Sequence, residues 1–328
     1  MRISVALCTH DGAGFVEQQV RSILTQDPRP DELVLGDDAS RDDTVAIVER
    51  LAGEHPGTTL VVRRHDPPLG VAANFADATA HATGDIVVLS DQDDVWLPGK
   101  LAALRDAFAA DPEVLLVHSD ARLVGADGLP LGRNLLDALE ASPAERSGLA
   151  GGGGFEVLLR RNLVTGMTAA IRRELADFAF PVGEGWIHDE WLAAIAAATG
   201  RIRLLPVALA DYRQHGGNQI GARRLTRREQ LARLREPREP RASRQLERAE
   251  SYVAALERLG ERVPADRLAA ARARVAHRRR RRDLPQNRIA RAPRVLFRAA
   301  LGEYSRFSYG LRDVLRDLLQ PPSQAGLR

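Results

Sequence analysis

Apolar residues in the first part of the chain fall into short runs, separated by stretches where apolar positions recur every three or four residues. The runs occupy residues 2–8, 32–36, 60–64, 85–89 and 114–117, and their length and β-branched content predict strands. The stretches at 14–25, 43–52, 71–82 and 98–109 predict amphipathic helices. Strand and helix alternating at this spacing predict right-handed crossovers, hence an α/β fold with a mostly parallel sheet flanked by helices. Ile86, Val87, Val88 and Leu89 are apolar without alternation, as in a strand buried on both faces. Crossovers bring the carboxyl ends of such strands to one sheet edge, where the ligands of open α/β sheets collect.

Three of these ends are polar: Thr9-His10-Asp11-Gly12, Asp37-Asp38-Ala39-Ser40 and Asp91-Gln92-Asp93-Asp94. No glycine fingerprint follows the first strand and no Walker loop occurs, which argues against a dinucleotide or P-loop site. Asp91, Asp93 and Asp94 repel one another unless a positive charge is present. A divalent cation resolves this, and oxygen ligands without a nearby Cys favour Mg²⁺ or Mn²⁺ over zinc. The plainer alternative is an acidic turn before the helix that starts near Pro98.

Later elements are less regular. Asp189 precedes a helical stretch at 191–198, so it reads first as an acid at a helix N-terminus. Glu190 lies about 100° further round the helix, so the two cannot face one site equally. Trp186 and Trp191 suit either the face of a binding platform or ordinary core packing. Residues 151–154 are all glycine, which predicts a surface loop or the hinge of a lid. Residues 162–167 are expected to return to order as a strand.

Charge divides the chain. Residues 221–328 carry 28 arginines against 12 carboxylates, while the whole chain nets +3, so the first 220 residues are strongly acidic. Residues 223–276 read as charged helices broken at Pro237, Pro240 and Pro264. Residues 278–282 are an uninterrupted basic run, and 289–319 mix arginine with apolar and aromatic residues at helical spacing. This Arg-rich α-helical extension suits an anionic membrane surface, or packing against the acidic domain. Nucleic acid is not expected, since no nucleic-acid motif is present and the acidic domain would repel a polyanion. Domain boundaries are expected at 1–220 and 221–328. A single cysteine, Cys8, excludes an internal disulfide and a Cys-based metal site. The chain is expected to have no signal peptide and no transmembrane helix, and to be cytoplasmic or peripheral at the inner face of the membrane.

Taken in order, Thr9-His10-Asp11, Asp37-Asp38-Ala39-Ser40, Asn74, Asp91-Gln92-Asp93-Asp94, His188-Asp189-Glu190-Trp191 and Tyr212-Arg213-Gln214-His215-Gly216-Gly217-Asn218 resemble the family 2 glycosyltransferases of GT-A fold. The rhamnosyltransferase-like branch is the nearest in pattern, and the resemblance covers about residues 1–220. The first loop departs from the usual Thr-Tyr-Asn, Ala39 stands where Gly is usual, and Pro68 stands where Asn commonly precedes Leu69-Gly70. The resemblance implies inverting, metal-dependent transfer of a sugar, with dTDP-rhamnose the favoured donor. The acceptor would be a glycan or lipid-linked glycan in surface polysaccharide synthesis.

It also implies roles by position. Thr9, Asp11, Asp38, Asn74 and Asp91 would bind the nucleotide-sugar. Asp93 and His215 would hold Mg²⁺ or Mn²⁺. Asp189 would be the catalytic base, and Asp94, Trp186 and Trp191 would meet the acceptor or sugar, with Asp94 alternatively orienting its loop. Other readings are a metal-dependent nucleotidyltransferase and a catalytically inactive membrane-docking scaffold. The first lacks basic residues near the first strand to cradle a triphosphate. The second would not need the acids Asp91, Asp93 and Asp189.

Overall fold

The structure is a computed structural model that describes residues 1–215 and 238–321. The Gly216-Gly217-Asn218 end of the last motif, and the helices and Pro237 break expected before residue 238, lie outside the described residues. Two compact units are present. One comprises residues 1–154, 163–182 and 187–222, and the other 155–162, 183–186 and 223–328.

The first unit opens with the expected alternation: β1 (Ile3–Thr9), α1 (Val16–Leu24), β2 (Glu32–Asp37), α2 (Thr44–Gly53), β3 (Thr59–Arg64), α3 (Val71–His81) and β4 (Ile86–Ser90). Every residue of β1, β2 and β4 is buried, as the unbroken apolar runs require. β3, with Arg63 and Arg64 at its end, is only partly buried and forms the sheet edge. There follow β5 (Val95–Trp96), α4 (Lys100–Ala110), β6 (Val114–Val124), β7 (Pro130–Asn134), α5 (Leu135–Ala138), α6 (Pro143–Ala150), then α7 (Gly154–Arg160), which after Gly154 belongs to the second unit, and β8 (Ala169–Arg172), α8 (Arg173–Ala179), α9 (His188–Thr199) and β9 (Arg201–Arg213).

The sheet runs β3-β2-β1-β4-β8-β6-β9-β5, with β7 paired to β6. Its first four strands are parallel. β8 then enters antiparallel to both β4 and β6, while β6 and β9 are parallel to each other. The sheet is therefore mixed rather than mostly parallel. A four-residue strand such as β8 carries too short a pattern to announce its direction.

Residues 162–167 do not form a strand. A 3₁₀ turn occupies Gly166–Thr168, where the Thr168 hydroxyl donates to the Thr165 carbonyl at 2.7 Å, and the strand begins at Ala169. The glycine run is also more ordered than a free hinge. α6 is fixed at its start by Ser142 and Glu145, which bond each other's backbone N–H groups in a capping box with Pro143 at the first helical position. Gly151 closes α6 and Gly154 opens α7, where a Cβ would come within 2.3 Å of the Ile202 side chain.

The second unit contains α10 (Arg238–Leu259), α11 (Ala265–Arg282), α12 (Arg288–Ala300), α13 (Glu303–Phe307) and α14 (Leu311–Leu319). Pro240 does not break a helix. It sits in the first turn of α10, where its missing N–H costs nothing. The basic run divides by helical geometry: Arg278 and Arg281 are buried, three residues apart on one face, while Arg279, Arg280 and Arg282 are exposed. Arg281 lies 2.6 Å from Asp317 and 2.9 Å from Asp313, and the Tyr304 hydroxyl donates to Asp317 at 2.7 Å. Val295, Tyr304 and Val314 form the apolar core beside this network.

Candidate active site

The three polar strand ends meet, as crossovers demand, at one edge of the sheet. A cavity of about 500 Å³ opens there. Thr9, Asp38, Asn74, Asp91, Asp93 and Asp189 all line it, although Asp189 is nearly a hundred residues from its neighbours in sequence.

Each loop is held by the next. The Thr9 hydroxyl donates to Asp37 at 2.8 Å. Asp38 accepts the backbone N–H groups of Leu69 and Gly70 at 2.6 and 2.9 Å, which fixes the turn into α3. A carboxylate has about four acceptor sites, so Asp38 retains capacity for a ligand. Asn74 donates to the Gly36 carbonyl at 2.8 Å, while its Oδ1 is buried with no partner. That approach requires glycine at position 36, where a Cβ would stand 2.4 Å from Asn74 Oδ1. Gln92 locks the first loop to the third: its amide accepts from His10 N–H at 2.9 Å and donates to the His10 carbonyl at 3.0 Å.

Asp11 does not line the cavity. Its half-exposed carboxylate accepts the Arg41 N–H at 2.8 Å, so it braces the second loop, correcting the expectation of a donor contact. Ala39, where the resemblance led one to expect glycine, takes φ +65°. L-residues pay for that region, which explains the preference for glycine.

Asp94 is buried, while Asp91 and Asp93 are partly exposed. Burial, with the charges of Asp93 and Asp189 added, raises Asp91 to about 7 against the pull of Lys100. Asp94 is likewise driven well up, chiefly by burial. Lys100 is itself brought down to about 7 by burial, against the opposing effect of Asp94 and Asp91. This lysine, the chain's single one, is fully buried and donates to the Met167 carbonyl at 2.7 Å. It supplies positive charge behind the acid loop.

Asp94 is 1% exposed and accepts the Arg213 N–H at 3.1 Å. It therefore meets no acceptor; it holds the loop against β9. Arg213 ties the same loop further, donating to the Asp93 carbonyl at 2.8 Å and to Gln18 at 2.6 Å. Asp93 Oδ2 lies 2.7 Å from His215 Nε2, and His215 stacks on Phe15 at 4.8 Å between centroids.

These residues fit a divalent cation. Asp91 and Asp93 bring carboxylate oxygens to the cavity, and the His215 imidazole stands against Asp93. Among the described residues no group of three or more His, Cys, Asp or Glu is placed to hold a metal ion. Such a partial donor set suits Mg²⁺ or Mn²⁺, which take the rest of their sphere from phosphates and water.

Asp189 sits in the first turn of α9. Its Oδ2 accepts the Gly166 N–H at 2.8 Å and its Oδ1 accepts the Glu190 N–H at 2.7 Å. Burial raises its pKa, opposed by those two amide bonds. Glu190 does not line the cavity. His188, beside it, stacks on Phe75 at 4.0 Å and is pushed down to about 3 by burial, so it stays neutral.

Trp191 does not meet the site. Trp191 is 1% exposed and its indole donates to the Ala179 carbonyl at 2.6 Å, so it offers no face to a sugar. Trp186 belongs to the second unit, where its indole donates to the Arg248 carbonyl at 3.0 Å and its ring carries the Arg248 guanidinium at 4.5 Å. The platform expected of Trp191 is corrected accordingly: its N–H and ring are already satisfied within the protein. Lys100 and Arg213 were the residues that sequence reasoning missed. The only signals were a lone lysine in an arginine-rich chain and the arginine inside the Tyr212–His215 motif.

A mixed sheet with a parallel β3-β2-β1-β4 half, and with carboxylates gathered at its carboxyl edge, defines a GT-A-like transferase fold. The description "Glycosyl transferase family 2" matches residues 4–176, and the chain belongs to that family. It is 28% identical over 228 residues to an uncharacterized glycosyltransferase of Nostoc, covering 66% of each chain, just under two thirds of that relative's length. A dTDP-rhamnosyl transferase of Shigella flexneri is 25% identical over 66% of this chain and 74% of its own. Among solved structures, a mannosyltransferase from Pyrobaculum calidifontis in complex with GDP-Man and Mn²⁺ superposes with a TM-score of 0.53 at 23% identity, covering 97% of this chain and 84% of that one. At that identity the likeness shows the fold.

Proposed function

We propose that the chain transfers a sugar, with inversion, from a nucleotide-sugar to a glycan or lipid-linked acceptor in surface polysaccharide synthesis. The observation that carries this reading is the convergence of Asp189, Asp91 and Asp93 on one cavity at the sheet's carboxyl edge, with His215 against Asp93. The favoured donor is dTDP-rhamnose, supported by the similarity to the Shigella enzyme of that printed specificity. Residues 1–220 are the catalytic domain and 221–328 a helical extension, in the cytoplasm or at the inner face of the membrane. No helix among the described residues is long and apolar enough to cross a membrane.

In the reaction an acceptor hydroxyl attacks the anomeric carbon from the face opposite the leaving group. A bond forms between acceptor oxygen and that carbon, the bond from carbon to phosphate oxygen breaks, and the hydroxyl proton passes to Asp189. Two backbone N–H groups hold the Asp189 carboxylate in place, while burial makes it a stronger base than an exposed one. Thr9, Asp38 and Asn74 line the part of the cavity suited to the nucleoside. Asp91 lines the same cavity and would meet the donor's ribose or the water shell of the metal. A Mg²⁺ or Mn²⁺ ion held by Asp93 and His215 would supply positive charge where the departing diphosphate becomes more negative.

The test is a panel of nucleotide-sugars, read by thermal shift with and without Mn²⁺ and followed by turnover with an acceptor. A metal-dependent rise in Tm with one nucleotide-sugar is the expected result. If no nucleotide-sugar moves Tm under either condition, the reading falls.

A further inference from the structure

A second cavity, of about 510 Å³, lies wholly within the helical unit, walled by the end of α11 and by α12 and α13. Five arginines line it: Arg279, Arg280, Arg281, Arg294 and Arg298. Two carboxylates stand among them, and both are already engaged. Asp283 pairs with Arg282 at 2.7 Å, while Glu303 is shared by Arg280 at 3.0 Å and Arg298 at 2.8 Å. Arg281 is neutralised by Asp313 and Asp317. Arg294 makes no hydrogen bond or ion pair among the described residues. Arg279 pairs with Glu250 at 2.7 Å, so Arg294 is the cavity's one guanidinium with no carboxylate partner among the described residues, and guanidinium N–H donors are the groups best shaped for phosphate.

One wall is aromatic and leads out to bare apolar surface. Phe297 lines the cavity and is 59% exposed. Ile289, Leu296 and Leu301 are more than half exposed, Ile289 at 84%. Positions 289, 293, 296, 297 and 300 fall on one helical face, so Ile289, Pro293, Leu296, Phe297 and Ala300 form a continuous apolar stripe along α12. Arginines that seek a phosphate, beside uncovered apolar side chains, match the two halves of one amphiphile.

We propose that this cavity receives the phosphate head group of a membrane lipid, while the apolar stripe of α12 enters the acyl layer. The inference stands on the helical unit alone, and donor binding in the first unit neither supports nor weakens it. The arginines set position on the surface, with Arg294 free to rotate onto the phosphate. Phe297 marks the boundary between head group and chain.

Cosedimentation of the full-length chain with phosphatidylcholine vesicles, with and without phosphatidic acid, tests this. Binding is expected only with phosphatidic acid, and it should fade as salt rises. Arg294→Glu removes one attraction and adds one repulsion, and should weaken partitioning on the order of ten- to thirtyfold. Arg258→Glu, an equal charge change on exposed surface outside the cavity, should cost much less. Equal losses in the two variants would mean diffuse attraction and would overturn the site, as would full binding by Arg294→Glu. Phe297→Ser separates a lipid from a free phosphate. It should weaken vesicle binding while leaving unchanged any rise in Tm caused by inorganic phosphate. Undiminished vesicle binding by Phe297→Ser would overturn the lipid assignment.

Discussion

Asp189 is the residue whose replacement speaks most directly. Asp189→Asn keeps its shape and its hold on the Gly166 N–H but removes proton acceptance. Turnover should fall on the order of 10²–10⁴-fold with little change in donor affinity. Glu190→Gln should keep near-normal turnover, because Glu190 does not line the cavity. Measuring kcat and donor Kd for the pair decides the assignment, and the reverse pattern would move the base to Glu190. A second residue-scale outcome concerns His118, fully buried in β6 with neither ring nitrogen partnered, and held down to about 4 by burial. The folded protein keeps this ring neutral where the unfolded chain protonates it. Its contribution is thus lost as pH falls from about 6.5 toward about 4, at roughly 1.4 kcal/mol per pH unit. His118→Gln should flatten the acid limb of stability measured by denaturant titration between pH 6.5 and 5, by about 2 kcal/mol. An unchanged limb would show that the ring charges in place. Ala39→Gly should stabilise by up to about 1 kcal/mol, since φ +65° strains a Cβ but suits glycine.

Among the elements, the parallel strands were legible because unbroken apolar runs report burial on both faces. Their polar ends were legible because crossovers leave no choice of edge. The antiparallel β8 was not, since four residues carry no directional signal and its partners β4 and β6 lie far away in sequence. The close crossing of β2 and α3 was also hidden. Gly36 reads as an ordinary strand glycine until Asn74 is seen 2.4 Å from where its Cβ would stand. Gly36→Ala should displace Asn74 from the Gly36 carbonyl, leaving buried polar groups unpaired. Stability should drop by about 1–3 kcal/mol. Donor affinity should fall with it, as seen by calorimetric titration, whereas unchanged affinity would remove Asn74 from the donor pocket.

At the scale of the whole molecule, charge composition marks out the arginine-rich region, and the fold ties its parts together. Arg281 is buried against Asp313 and Asp317, so a chain ended near Gln286 would leave an uncompensated charge rather than a trimmed appendage. Asp317→Asn should destabilise the helical unit by about 3–5 kcal/mol, read from its unfolding transition by circular dichroism. A shift below about 1 kcal/mol would mean that the ion cluster is solvated and the packing of Val295, Tyr304 and Val314 dominates.

Periodicity and order of motifs, read from the chain alone, determined the α/β alternation, the acidic sheet edge, the family and most of the residues that line its cavity. Those features depend on which face of an element is buried and which strand end is polar, and both are written locally. Tertiary structure alone decided that Trp191 and Asp94 face inward, that Lys100 lies buried behind the acids, and that Arg213 and His215 return from β9 to the Asp93 loop. It also divided the basic run between a buried ion network and a cavity wall. Such outcomes depend on which distant group happens to lie opposite. A side chain's identity fixes what it can donate or accept, and only the folded chain supplies the partner.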